Sequence, residues 1–567
     1  MKRTNIRLLI LGLVATCLLV SCKKNEEGND NTLDGQGFSA MTERGIGIGG
    51  GKTHLDGTNQ VDVLWNTSDL IKVRNNAGVV LTYGLANGEN TMIGTFYTGE
   101  AHDNFFQPNY TSVYPAAVGN SVTGDGTAQF TLPATQTYAE KSFGSDAMPM
   151  MAVSGNEVLP FKNVLGGICF PIVGYGQTVT SVVLTSASAT DHLSGVFTST
   201  YNNGAPTLTY SSGGSNSITL DCSAGGGVPL NSTTATDFYI MVPPGTLANG
   251  FTLKLYNGPE ESDKIYEKST NTSITISRNE ILYLGGYGSG NVIEIPPEKA
   301  FSVKDNGHGF HSYIRFAHGN LQYIGSAATP YWKFADNQWD YLSTNGSSAT
   351  NVDRDLFGWG TSGYHDSSDE YNTNYYPYSM STSTVNSDYN YFGYGPSTNM
   401  TDPNLVGTSA NYDWGVYNTI SNGGTSSWRT LTRAEWNYLR YSRTNAGNLF
   451  GEGSVSGVNG CIFLPDDWTL PDGLTFTAGQ SAWSNSYTVA EWAQMESAGA
   501  VFLPAAGARI WGTSLFNAGS EGRYWSSTYY NSYFAYYLFF SSGSVYPKFD
   551  YFGRYGGYSV RLVCPAE

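Results

Sequence analysis

The chain has 567 residues, with hydrophobic residues at 40%, charged residues at only 13%, and 68 glycines. That length exceeds what one compact core spans, so two or three domains are expected, and the Gly-rich, charge-poor composition suits strands joined by turns rather than long helices. A formal net charge of −17 argues against a nucleic-acid partner, because phosphate contacts need basic patches.

Lys2, Arg3 and Arg7 precede the apolar run LLILGLVATCLLV and then Ser21-Cys22, the order of a secretory signal. The run is too short for a transmembrane helix. Leu19 to Cys22, LVSC, resembles the lipobox of bacterial lipoproteins. The resemblance implies removal of residues 1–21, a diacylglycerol thioether on Cys22, and an outer-membrane lipid as partner; a plain secretory signal with an incidental cysteine is the alternative. Cleavage there removes three cations and no acid, taking the net charge to −20. Residues 22–36 are polar and aperiodic, as in a flexible tether, and Lys24 to Glu27 is similar to the acidic export tags of some surface lipoproteins of Bacteroidota.

Composition breaks near residue 300, since eleven of the twelve Trp and 27 of the 40 Tyr follow it. Residues 288–300, with their Gly and Pro content, read as a linker that cannot continue a strand or helix. Before it, period-two alternation in VDVLW from Val61, DLIKV from Asp69, FYIMV from Phe238, FTLKLY from Phe251 and SITI from Ser273 predicts half-buried strands. Asn75 to Gly78 and Asn202-Asn203-Gly204 supply turns. Trp65 with Asp69 to Val73, Tyr114-Pro115-Ala116, Met148 to Val153, Phe161-Lys162-Asn163, Leu193-Ser194-Gly195, Val242 to Thr246 and Phe251-Thr252-Leu253 follow in an order that resembles the fimbrillin-like family of Bacteroidota lipoproteins. The resemblance covers about residues 37–287. It implies two consecutive β-sandwich subdomains, 37–160 and 161–287, and partnership with other fimbrial subunits. Polymerising fimbrillins are cut after an arginine near the mature N-terminus, which makes Arg44 in SAMTERGIGIGG the candidate cleavage site. The alternative is a first strand, FSAMTE, that ends at a solvated Arg44 and stays uncut.

Residues 301–567 carry FAHGNLQY from Phe316, WKFADNQWDYL from Trp332, DLFGWGTSGY from Asp355, SSWRTLTRAEWNYLRYSR from Ser426, CIFLPDDW from Cys461, VFLPAAGAR from Val501, GRYWSSTYY from Gly522 and GYSVRLVC from Gly557. Together these resemble the major-paralogue (FISUMP-like) domains of bacterial surface proteins, which implies an α+β, C-type-lectin-like fold. The expected fold class is therefore mainly β, two sandwich subdomains followed by that domain. Thr432 with Glu435 three residues later opens a predicted helix carrying Trp436 and Leu439; a second is expected at TVAEWAQMESAG. Both are expected to pack on a sheet of CIFLP, VFLPA and SVRLV.

Chemistry-bearing groups are few. Without a CxxC or a Cys/His cluster, no zinc site is indicated, and no metal or cofactor is expected. Cys461 and Cys564, in apolar strand-like runs, are either a disulfide or two buried thiols. His308, His311 and His318 read as ordinary strand histidines, and Asp466-Asp467 as a turn, because neighbours on a strand face opposite ways and cannot share a scissile bond. The stretch from Gly363 to Ser409 combines Tyr with Ser, Asn and Gly, the composition of binding loops, in which tyrosine offers rigid contact area at low entropic cost. Its candidate ligand contacts are Tyr364, Tyr371, Tyr375, Tyr376, Tyr378, Tyr389, Tyr391 and Tyr394. YYNSYFAYYLFF from Tyr529 is a second aromatic patch, with a buried core strand as its stronger reading.

The sequence thus points to a surface-exposed lipoprotein, not an enzyme: a fimbrial tip or accessory subunit that binds a host or bacterial surface ligand, or else a lipoprotein that binds or processes glycan. Growth with an alkyne-tagged fatty acid is expected to label the wild-type chain and to leave a Cys22→Ala variant unlabelled; an unlabelled wild type would remove the anchor.

Overall fold

The computed structural model describes residues 37–43, 64–99, 105–144, 147–285, 292–307, 310–346, 350–364, 377, 404–479, 482–510, 514–531, 534–542 and 544–566. Cys22 and Arg44 lie outside these residues. The chain is mainly β, and no helix among the described residues is long and apolar enough to cross a membrane.

Alternation builds Leu70–Arg74 and Phe251–Tyr256 as expected, whereas Phe238 to Val242 are buried on both faces and residues 61–63 lie outside the described ones. In Phe251–Tyr256, Phe251, Leu253 and Leu255 turn inward and are fully buried. An eight-stranded sheet runs Val158–Pro160, Phe38–Met41, Ile93–Tyr97, Val80–Asn87, Leu70–Arg74, Tyr110–Tyr114, Met150–Ser154, Lys162–Asn163. Trp65 anchors one of its faces, edge-on to Phe96, Tyr114 and Phe161. Asn203 and Gly204, both at positive φ, make the two-residue turn between Gly195–Asn202 and Ala205–Ser212, where left-handed backbone matches strand twist.

Strand pairing does not stop at residue 160. Thr127–Leu132 pairs with Gly195–Asn202, and Thr135–Ala139 runs parallel to Ser217–Asp221. A shared core of Val113, Phe130, Met151, Cys169, Phe197 and Met241 joins the two sides of the expected seam. Local periodicity marks strands but carries no record of their distant partners. Glu43 adds a polar tie, receiving Arg278 through two hydrogen bonds of 2.6 and 3.1 Å and facing Lys162 at 3.3 Å.

The linker expectation needs correction. Ile293–Ile295, inside residues 288–300, is a strand that runs parallel to Gly166–Gly174. Its two isoleucines enter the core of Phe170, Ile172 and Val182, because the alternation VIEI outweighs the flanking Gly and Pro. Glu294 points the other way. Oε1 accepts from Tyr175 Oη (2.8 Å) and His311 N (2.7 Å), and Oε2 from His311 Nδ1 (2.6 Å) and Tyr313 Oη (3.1 Å). Tyr175 belongs to the sandwiches and His311 and Tyr313 to the following domain, so one carboxylate joins the two.

In that domain Leu562–Pro565 lies between Phe310–Phe316 and Arg429–Thr430. This corrects the expected grouping: CIFLP and VFLP do pair, Cys461 opposite Leu503, but SVRLV belongs to a separate sheet. Both predicted helices form with reciprocal caps, Thr432 with Glu435 and Thr488 with Glu491. Trp436 and Leu439 enter one core, and Trp492 and Met495 another.

The Glu294 hydrogen bond raises the His311 pKa, with Asp305 and Asp466 adding to it and burial opposing. A value raised on folding contributes stability that is complete below the unfolded pKa, about 6.5, and is lost as pH rises through the folded one. The melting-temperature gap between wild type and His311→Gln is therefore expected to narrow from about pH 5.5 to about pH 8.5; a gap independent of pH would count against the charged pair.

Candidate functional site

Glu521–Tyr529, Phe534–Ser541 and Ser544–Gly553 form an antiparallel meander. The central strand feeds two cores. Ala535 and Tyr537 join Trp525 and Tyr558 on one side, while Leu538 and Phe540 join Tyr524 and Leu503 on the other. Among the described side chains, Tyr530, Phe534, Tyr536 and Tyr551 belong to neither core. Tyr536 sits directly opposite Tyr551 across the strands. The rings of Tyr530 and Tyr551 stack with centroids 3.9 Å apart and planes 5° apart. Phe534 meets Tyr551 at 5.6 Å and Tyr536 meets Tyr530 edge-on at 5.3 Å. Tyr530 is 41% and Tyr551 44% exposed.

The hairpin and the first helix hold the cluster. Phe534 O accepts from the amides of Tyr530 and Asn531, and Phe534 N donates to Asn531 Oδ1. Thr432 caps the helix through Glu435, and the next residue, Arg433, donates its amide to Thr528 Oγ1 at 2.9 Å. Its guanidinium then lies 4.2 Å from the Tyr536 ring centroid, a cation against the negative face of an aromatic.

Of the predicted loop tyrosines, Tyr364 lies against Tyr412 at 5.0 Å and against Tyr417, itself 47% exposed, at 5.3 Å. Tyr371, Tyr375, Tyr376, Tyr378, Tyr389, Tyr391 and Tyr394 lie outside the described residues. At the far end of that stretch, Asn404 Oδ1 accepts from Tyr529 N and Leu405 N donates to Ser527 O. The Tyr-rich stretch thus returns beside the meander strand that leads into Tyr530. Arg433, Tyr412 and Tyr417 were missed by sequence reasoning; the only local signal for Arg433 is its place immediately after a capping threonine.

The remaining candidates are structural. Cys461 and Cys564 are buried on separate sheets, and no disulfide joins them. Burial raises the Cys461 thiol and so suppresses the reactive thiolate. Asp466 and Asp467 stand in a turn as expected: Asp466 accepts from Arg443 Nη1 (2.8 Å) and Ser302 N (3.2 Å), and Asp467 accepts from Lys299 N (2.9 Å). His308 lies outside the described residues, while burial and nearby Arg561 lower the His318 pKa. Among the described residues no group of three His, Cys, Asp or Glu side chains could hold a metal ion. Two open clefts of about 480 and 400 Å³ flank Tyr175 at the junction, and none of the meander's described tyrosines lines them.

No protein-family model matches the chain. No curated protein matches it either. Among solved structures, similarity extends to a putative cell adhesion protein from Bacteroides ovatus, with 10% identity, 45% of this chain, 94% of that one, and a TM-score of 0.30. It extends also to a fimbrial protein from Bacteroides ovatus (9% identity, 94% and 100% covered, TM-score 0.23) and to putative polysaccharide binding proteins from Bacteroides thetaiotaomicron (9%, 40% and 78%, TM-score 0.21). At such scores the functional reading rests on this chain's own residues.

The cores and the cluster predict different costs. Tyr537→Ala is expected to lower unfolding stability by about 3 kcal/mol, as for a large core deletion, and Tyr530→Ala by under about 1 kcal/mol, as for an exposed site. Equal losses in chemical denaturation would place Tyr530 in the core.

Proposed function

We propose that the chain is a lipid-anchored surface adhesin, a tip or accessory subunit of a fimbrial assembly, whose aromatic face contacts a host or bacterial surface ligand. The observation that carries this reading is the cluster of Tyr530, Phe534, Tyr536 and Tyr551, exposed aromatic area that serves neither neighbouring core. Clustered exposed apolar surface marks interaction sites, whereas single exposed residues are ordinary. Lipidation at Cys22 would tether the chain to the outer membrane, the sandwiches would dock on other fimbrial subunits, and the last domain would face the ligand.

Two strands support an accessory position rather than a repeating stalk position. Leu562–Pro565 is paired on both sides and is not free to be donated to a neighbour. Phe38–Met41 lies between Ile93–Tyr97 and Val158–Pro160 with Phe38 and Ala40 fully buried. Cleavage at Arg44 would release that strand and open its slot, so an accessory subunit keeps Arg44 uncut. The glycan reading is favoured in its binding form by the stacked tyrosines. Glycan processing lacks comparable support, since Asp466 and Asp467 are committed to the turn.

Bacteria displaying the wild-type chain, or a Tyr530→Ala/Tyr551→Ala variant at equal surface density, can be counted on mucin-coated and bacterium-coated surfaces. Attachment is expected to fall several-fold in the variant on at least one surface. Equal attachment on every surface would refute the reading, and an N-terminus beginning at Gly45 would refute the uncut accessory position.

A further inference from the structure

We infer that Arg509 holds a buried monatomic anion, of the size and charge of chloride, along the Nε and Nη2 edge of its guanidinium. The inference is independent of the adhesin reading. Arg509 stands in the strand Ala508–Ile510, is 0% exposed, and exchanges backbone hydrogen bonds of 2.9 and 2.7 Å with Gly557. Its Nη1 donates to Asn345 O at 3.3 Å. Among the described residues, Nε and Nη2 have no hydrogen-bond partner. These two nitrogens flank one side of the planar fork, and from that side two parallel N–H bonds grip an anion bidentately. The unpartnered donors therefore form one complete binding edge. Buried donors of this kind are rarely left without an acceptor.

The surrounding side chains supply no charge to meet that edge. Asp355 is the acid closest through hydrogen bonds, and it is committed elsewhere: its carboxyl accepts from Asn345 Nδ2 and from Leu342 N. Asn345 Oδ1 accepts from the amides of Asp355 and Leu356, so this asparagine stands between the arginine and the acid. Burial also pushes Asp355 up to about 7, which leaves it only partly ionised at neutral pH. A second cation is nearby instead. Arg354 is 0% exposed, and burial followed by the Arg354 charge lowers the Arg509 pKa to about 9. At neutral pH Arg509 thus stays protonated. Two like charges in the interior call for a counter-charge.

Burial selects the size of the occupant. Arg509, Arg354 and Asn345 are all at most 1% exposed, so an organic anion would have to place its remainder in the core, whereas a halide occupies about the space of one water. Gly557 lies against the edge: a Cβ there would stand 3.3 Å from Arg509 Nε, 3.3 Å from Leu356 O and 2.9 Å from Arg509 Cβ. Any larger residue would crowd the donors. A water would satisfy the N–H groups but leave both cations uncompensated; a halide does both.

The test melts the purified full chain and its Arg509→Met variant at fixed ionic strength while sodium gluconate, too bulky for a closed site, is replaced by sodium chloride. The wild-type melting temperature is expected to rise by a few degrees and level off, as for a ligand that binds only the folded state. The variant is expected to show no such rise. A wild type unmoved by chloride, or a rise that survives in the variant, would overturn the inference. Crystals of the wild type grown in bromide need no variant: an anomalous peak within hydrogen-bond reach of Nε and Nη2 is expected, and a water or no density at that edge would count decisively against the anion.

Discussion

Among the buried arginines of the last domain, Arg561 ties together the most distant segments. The Arg561 guanidinium is 1% exposed, and its hydrogen bonds run to Asn320 Oδ1 (3.0 Å), Ala317 O (3.0 Å) and Phe502 O (2.7 Å). Burial lowers its pKa to about 10, which still leaves it charged at neutral pH. Desolvating a cation is costly, and carbonyl dipoles aimed at its fixed fork of donors offset that cost. Ala317 and Phe502 stand far apart in the sequence, so the one guanidinium ties distant parts of the domain together. With them in place, Leu562 and Val560 accept from Ala317 and Leu321, and Ser559 bridges Arg523 and Trp525. The Glu521–Tyr529 strand is thereby fixed, and the exposed tyrosines take their position from it.

A second constraint acts at the junction. Glu294 stands on a strand whose isoleucines lie in the sandwich core, so its carboxylate is placed by packing before it meets Tyr175, His311 and Tyr313. The Tyr175 and Tyr313 rings meet edge-on at 5.0 Å beside it. Orientation between the sandwiches and the aromatic domain therefore does not rest on a plain spacer. Asp466 and Asp467 reinforce the same corner through Ser302 and Lys299.

Much of this was legible in the sequence wherever the deciding interaction is local. Alternation located Phe251–Tyr256 and its relatives, and Thr432 and Thr488 announced their helices through glutamates three residues on. Where the deciding interaction is distant, the sequence was silent. Thr135–Ala139 finds its partner more than 80 residues away, and SVRLV pairs with the distant Phe310–Phe316 and Arg429–Thr430. The linker misreading arose from giving Gly and Pro more weight than a four-residue alternation. At the aromatic patch, the expectation of a buried strand holds for Ala535, Tyr537, Leu538 and Phe540. It failed to separate off Tyr536, because exposure there depends on Tyr551 and Arg433, contributed by another strand and by a helix.

The Phe38–Met41 strand has a mechanical meaning. It is hydrogen-bonded along both sides, antiparallel to one neighbour and parallel to the other, and Glu43 just beyond it is gripped by Arg278. A pull along this strand's axis would load all of those bonds at once in shear instead of peeling them one after another. Ladders on both sides and the Glu43–Arg278 pair would hold such a pull better than a four-residue strand paired on one side alone.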